Sequence, residues 1–252
     1  MSIFRDVQGF VREVNQVATF DALHGLLDGM VREFGFYYYA IGHHVTFAKG
    51  TLIQVSNYPD AWIEAAHERD FVAQDPVLIA CQNSAAAFRW SELAQIINLT
   101  DDHKKVLLGA ARAGLAEGFT VPINVPGECA GSCSFATKRQ RTIRDTVLPG
   151  TQYVGCFAFE AARRIVRRPG NKTRIRDLSP VPALTSRQLD CVLLVARGKS
   201  DWEIGKLLGI APETAHQHVE MAKRRYGVPT RTQLVVRALF DNQLGFQDVI
   251  NR

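Results

Sequence analysis

The sequence predicts two domains of different class. Residues 1–168 read as an α+β sandwich with a central antiparallel sheet, and residues 181–252 as an all-α domain built on a helix-turn-helix. Three observations lead there. The first part alternates helical periodicity with a few short β-rich runs that turn back on one another. Pro169-Gly170-Asn171 then breaks the pattern and opens a Pro/Gly/charge-rich linker over residues 169–180. Beyond it, a short helical pattern, a tight turn and a longer helical pattern follow in quick succession.

In chain order, residues 4–34 read as two amphipathic helices meeting near Thr19 and Phe20. Residues 37–45 and 52–55 look like strands. Residues 59–69 and 101–115 read as helices, the second with Asp102 near its start. Residues 119–125 and 133–137 look like paired strands joined by a Pro126-Gly127 turn. Residues 145–168 form a long helical pattern with Pro149-Gly150 in its first turns. Its apolar side chains Val147, Leu148, Val154, Phe157, Phe159 and Ile165 exceed what one packed face requires. A two-fold homodimer through this helix, aided by the helix at residues 230–242, is the expectation.

Residues 201–208 form a short helix ending at Gly209 and Ile210, and a second helix starts with Pro212. Pro suits a first helical position, where its missing N–H would be unpaired anyway. On the second helix Ala215, Val219, Ala222 and Tyr226 recur at core spacing. Glu213, His216, Gln217, Glu220 and Arg224 make the opposite, polar stripe. Such a helix, held against a shorter one, is the device that reads a major groove. The same spacing also suits an ordinary helical bundle with a solvated face.

Charge bears on that choice. Residues 1–162, 163–178 and 179–252 carry net charges of −4, +6 and +3, which make up the chain's +5. A basic linker and C-terminal domain suit a polyanionic partner at that end. No apolar run is long enough for a membrane span. The N-terminus carries charges where a signal peptide would be apolar, so a cytoplasmic protein is expected. Five scattered cysteines argue against a disulfide framework. Cys129, Cys133, His43 and His44 lack CxxC or HxxxH spacing, so no metal is expected.

Tyr58, Trp62, Asp75, Pro76 and Trp90 stand among apolar neighbours. Asp75 before Pro76 is a plausible helix N-cap, and the aromatics suit a core.

Both regions resemble one family, the LuxR-type transcription factors. In the second domain Leu184, Thr185, Arg187, Gly198, Ile204, Leu208, Thr214, His218, Val219, Gly227 and Val228 sit where that pattern wants them. Gln188, Val192, Ala215 and His216 depart from it, standing where Glu, Leu, Val and Lys are usual. In the first domain the resemblance lies in NYPDAW (57–62), Asp75-Pro76, FRW (88–90) and GFTVPI (118–123), with Gly131 and Ser134 beyond. It implies an α/β/α sandwich that binds an N-acyl-homoserine lactone, followed by a four-helix DNA-binding domain.

The resemblance also implies roles. Trp62 would donate to the lactone carbonyl and Asp75 would accept the amide N–H. Tyr58 and Ser134 would bond the amide carbonyl, and Trp90 would pack on the lactone ring. The apolar tail would meet Tyr37, Tyr39, Ile41, Val55, Val77, Leu78 and Leu115. Ala66 replaces the family's usual Tyr, which opens room for a branched or aromatic acyl group.

On the recognition helix, His216, Gln217, Glu220 and Arg224 are the candidates for base edges. Thr214, Lys223 and Arg225, with Arg167 and Arg168 of the linker region, are the candidates for phosphates. The expectation is a dimeric quorum-sensing regulator with double-stranded operator DNA and a lactone as partners, no cofactor and no enzymatic activity. RNA polymerase is a further candidate partner. One alternative is a DNA-binding regulator whose first domain only dimerises or senses another small molecule. A second is a lactone hydrolase using Ser134, His43 or His44, and Asp75, although Ser134 lies in GSCSF rather than GxSxG.

Overall fold

The computed structural model describes residues 3–44, 53–68, 74–126, 128–138, 143–168 and 183–250. The chain divides into two compact units: Met1–Val125 with Cys129–Arg176, and Pro126–Glu128 with Asp177–Arg252. The predicted linker and the Gly127 turn position lie outside the described residues.

In the first unit α1 (Ile3–Val14) and α2 (Phe20–Glu33) lead into β1 (Tyr38–His43) and β2 (Gln54–Ser56). Thr19 caps α2 by accepting from the N–H of Ala22. Then come α3 (Asp60–Glu68), α4 (Pro76–Asn83), the short β3 (Phe88–Arg89), one 3₁₀ turn (Trp90–Glu92) and α5 (Leu93–Ile96). The unit closes with α6 (Asp101–Arg112), β4 (Glu117–Ile123), β5 (Gly131–Thr137) and α7 (Leu148–Arg167). The sheet is antiparallel, in the order β2-β1-β5-β4-β3.

Register decides what each face does. Tyr38, Ala40 and Gly42 of β1 lie opposite Ala136, Ser134 and Ser132 of β5. Ser134 and Ala136 in turn lie opposite Thr120 and Gly118 of β4. These residues share one face, because side chains alternate along a strand. The other face carries Tyr39, Ile41, Val121, Cys133 and Phe135. It packs on α7, where a Cβ on Gly155 would touch Val121, Cys133 and Phe135. α1 and α2 complete that layer, while α4 covers the first face. The whole of β5 is buried, as a central strand between two helical layers must be.

This arrangement corrects one expectation about α7. Val147, Val154, Phe159 and Ile165 are buried within their own unit and offer nothing to a partner. Their apolar surplus reflects a helix that packs on a sheet and on α1 together. The exposed aromatics there are Tyr153 on α7 and Phe4 on α1, which border a groove also lined by Val7, Val11 and Phe157.

The second unit is all helical: α8 (Ser186–Ala196), α9 (Asp201–Leu208), α10 (Pro212–Tyr226), α11 (Arg231–Phe240) and α12 (Phe246–Ile250). The short α12 extends the four helices expected. α8 and α9 both open with capping boxes, Thr185 with Gln188 and Ser200 with Glu203. Gly209 ends α9 at φ 66°, a left-handed conformation that glycine adopts without a Cβ penalty. The core gathers Leu184, Val192, Ile204, Val219 and Leu234 with the small Ala215, Ala222 and Ala238. None of the described helices is long and apolar enough to cross a membrane.

Candidate functional site

On the first unit's β1/β5/β4 face, a row of polar groups lies under an aromatic cluster. Trp62 of α3, nearly buried, packs with Tyr58, Tyr38, Trp90, Leu115 and Ala136. Trp90 lies flat on β4 because Gly118 beneath it has no side chain; a Cβ there would come within 2.3 Å of the indole. From that position the Trp90 indole N–H donates to Thr120 Oγ1 at 2.9 Å. Thr120 Oγ1 is in turn 2.9 Å from Ser134 Oγ. An indole can only donate, so Thr120 Oγ1 accepts from Trp90, while either oxygen can donate in the Thr120–Ser134 bond. The Tyr58 hydroxyl reaches Ser134, and burial with the nearby Asp75 pushes its pKa up.

Asp75 caps α4, accepting the N–H of Val77 at 2.8 Å with Pro76 in the first turn. The Val77 and Leu78 amides take part of the carboxylate's accepting capacity, and its two oxygens have lone pairs beyond these. Desolvation raises the carboxyl to about 6, against the pull of the Val77 and Leu78 amides and of His103. Such a group gains from a further N–H donor. Val77 is buried beside Ala80, Cys81, Phe88 and Leu93. Ala66 is half-buried one helical turn beyond Trp62, on the same side of α3.

Thus Tyr58, Trp62, Asp75, Trp90 and Ser134 come together. Tyr39 does not join them. Its ring is fully buried on the opposite face, with its hydroxyl 2.6 Å from His24 Nδ1 of α2. Ile41 and Val55 share that face, and Tyr37 is 45% exposed. Alternation along a strand puts Tyr39 and Ile41 on one face but cannot say which layer that face meets. Leu115 alone of the proposed tail residues packs directly in the Trp62 cluster. Thr120 was missed as a site residue, although its place between Gly118 and Pro122 in the GFTVPI run puts it across from Ser134.

The hydrolase constellation does not assemble at Ser134. His44 Nε2 lies 2.8 Å from Ser132 Oγ instead, and His43 turns to the α7 side against Phe159. No described carboxylate bonds His44 Nδ1.

In the second unit the recognition helix α10 buries Ala215, Val219 and Ala222 and exposes Glu213, His216, Gln217 and Arg224. His216 Nδ1 is 3.0 Å from Asp201 at the start of α9, and Asp201 also takes Arg231 at 2.9 Å. Glu220 pairs with Lys223 at 2.7 Å, which leaves the Lys223 side chain only 16% exposed. Thr214 is half-buried at the helix start. Arg225, expected at a phosphate, is exposed and also has partners within its own unit. It donates to the Ala183 carbonyl at 2.6 Å and to Gln188 Oε1 at 3.3 Å, and so ties α10 to the start of α8. The reason is angular: residue 225 lies beside the core stripe, within reach of α8. Gln188 completes both this contact and the Thr185 capping box without a charge.

Comparison with known proteins finds a family for each unit. Residues 19–162 match the autoinducer binding domain, and residues 182–238 match the bacterial regulatory proteins of the luxR family. The HTH-type transcriptional regulator y4qH of Sinorhizobium fredii is 32% identical over 74% of this chain, which spans 55% of that protein's length. The transcriptional activator VanR of Vibrio anguillarum is 26% identical over 91% of this chain and 93% of its own. The crystal structure of Escherichia coli SdiA shares the fold, with a TM-score of 0.69 at 21% identity over 95% of this chain and 98% of that one. The chain belongs to the LuxR family of transcriptional regulators, with an autoinducer-binding domain ahead of a DNA-binding helix-turn-helix.

Proposed function

We propose that this chain binds an N-acyl-homoserine lactone on the β1/β5/β4 face and, as a homodimer, controls promoter DNA in response. One observation carries the reading. Trp62 and Tyr58 from the start of α3, Ser134 on β5 and Asp75 at the N-cap of α4 gather hydrogen-bonding side chains of both kinds around one aromatic cluster. A homoserine lactone amide offers two carbonyls and one N–H, which that set can satisfy. Each group left unpaired in such a place would cost about 1–3 kcal/mol. Trp62 serves the lactone carbonyl, Asp75 the amide N–H, and Tyr58 with Ser134 the amide carbonyl. Trp90 covers the ring, and Thr120 orients Ser134.

A second reading has its own support. One SdiA structure is described as a complex with octanoyl-rac-glycerol, an acyl ligand with a polar head that is not a lactone. Calorimetric titration of the intact chain separates the two. The lactone reading expects saturable binding of an acyl-homoserine lactone and at least about tenfold weaker binding of the ring-opened acid. Binding of octanoyl glycerol with no response to any lactone would favour the second.

The dimer surface is proposed at the Phe4, Tyr153 and Phe157 groove, with Val236 and Phe240 of α11 exposed for a second contact. Sedimentation of the liganded protein as a monomer at micromolar concentration would contradict it. The proposed DNA face centres on Gln217 and Arg224, flanked by His216 and Glu220, with Thr214 and Lys223 toward the backbone.

A further inference from the structure

The sheet face beneath the proposed head group carries a second polar station that the lactone does not use. Along β5, Ala136 lies in the Trp62 cluster, Ser134 meets Tyr58 and Thr120, and Ser132 comes next on the same face. This order gives a bound ligand a direction. Its ring lies at Ala136, its amide at Ser134, and its acyl part runs toward Ser132. The floor along that path is made of small side chains, Ala40 and Gly42 on β1.

At the far end Ser132, buried at 5% exposure, is 2.8 Å from His44 Nε2 and within hydrogen-bond reach of the Cys81 thiol of α4. His44 Nδ1 is buried with no hydrogen-bond partner among the described residues. Burial and the neighbouring His43 bring the imidazole down to about 4, so it is neutral at pH 7. Burial holds Cys81 up at about 12, as an unreactive thiol. Ser132, His44 Nε2 and the Cys81 thiol serve one another, which leaves His44 Nδ1 as the buried polar atom that a wholly hydrocarbon tail would not satisfy.

We infer that the acyl group of the ligand carries a hydroxyl that bonds at Ser132 and His44, about 7 Å from the amide carbonyl, the span of two residues along β5. A hydroxyl both donates and accepts, so it fits either tautomer of His44; a keto oxygen fits only one. An oxygen on the third acyl carbon falls well short of this distance. A terminal hydroxyl on a six-carbon chain, or a phenol on a compact aryl acyl group, reaches it. The inference rests on the lactone reading above and specifies its tail.

Matched pairs test it: N-hexanoyl- against N-(ω-hydroxyhexanoyl)-homoserine lactone, and N-phenylacetyl- against N-(para-hydroxyphenylacetyl)-homoserine lactone. Each is titrated calorimetrically into the full chain and into its Ser132→Ala and His44→Gln variants. The hydroxylated member of at least one pair should bind about tenfold tighter to the parent, and Ser132→Ala should collapse that difference. His44→Gln, which keeps a donor and an acceptor, should retain part of it, and it guards against misfolding of the alanine variant. Tighter binding of the unsubstituted member in both pairs, or a preference that survives Ser132→Ala, overturns the inference while the lactone reading stands. Failure of every lactone to bind the parent overturns both.

Discussion

Replacing Asp75 by Asn separates the two jobs of that side chain. The first is structural: one oxygen accepts the Val77 N–H at 2.8 Å, and an amide oxygen does the same. The second depends on charge. Burial lifts the carboxyl from 3.8 to about 6, a shift that corresponds to about 3 kcal/mol. The folded chain thus prefers the protonated acid. Its contribution to stability is full below about pH 4 and is lost as pH rises through about 6. The free Asp75→Asn variant should therefore be more stable than the parent at pH 7, by up to about 3 kcal/mol, and its stability should be flatter between about pH 4 and 6.

Ligand binding should move the other way. Losing a charge-assisted acceptor for the amide N–H should cost about 1.5–3 kcal/mol, or about 10- to 150-fold in Kd. In the parent, affinity should fall about tenfold from pH 7 to pH 5 as the carboxylate takes up its proton. Urea unfolding across this pH range gives the first quantity, and calorimetric titration of a lactone gives the second. An unchanged Kd in Asp75→Asn, with a parent whose stability ignores pH between 4 and 6, would refute the reasoning.

Trp62→Phe keeps the aromatic packing and removes the indole donor, so it should weaken lactone binding by about 1 kcal/mol with little change in Tm. Tyr39→Phe removes the bond to His24 and should lower stability by about 1 kcal/mol while leaving ligand affinity untouched; a loss of affinity would mean the faces are assigned wrongly. Ala66→Tyr should reduce binding of a bulky acyl group more than that of a short linear one, and equal effects in titration would remove Ala66 from the pocket. Arg224→Ala should cost on the order of 1–3 kcal/mol and relax preference at one base pair per half-site. A uniform loss over single-base operator variants would make Arg224 a phosphate contact.

Much of this was legible in the sequence. Helical periodicity placed both long amphipathic helices and the recognition helix, and the turn residue Gly209 fixed the corner between α9 and α10. Asp75 before Pro76 announced its cap. What stayed hidden depended on strand register and on long-range partners. Tyr39 and Ser134 belong to adjacent strands, yet which side chains face the same helical layer is settled only by pairing. Thr120 sat in plain view within GFTVPI, but its role needs Trp90 and Ser134 on either side of it. The partners of Arg225, Ala183 and Gln188, lie about 40 residues upstream, so its tie to α8 could not be read locally. His44 was an ingredient of the alternative hydrolase reading, and only register sets it beside Ser132.

The central claim is that the first unit takes a lactone through its polar head. Thermal unfolding of the intact chain with increasing N-acyl-homoserine lactone tests this most directly, because a ligand bound only by the folded state raises Tm in proportion to its occupancy. The account predicts a Tm that climbs by several degrees with lactone concentration and barely moves with the ring-opened acid. A Tm indifferent to every lactone in the series would contradict it.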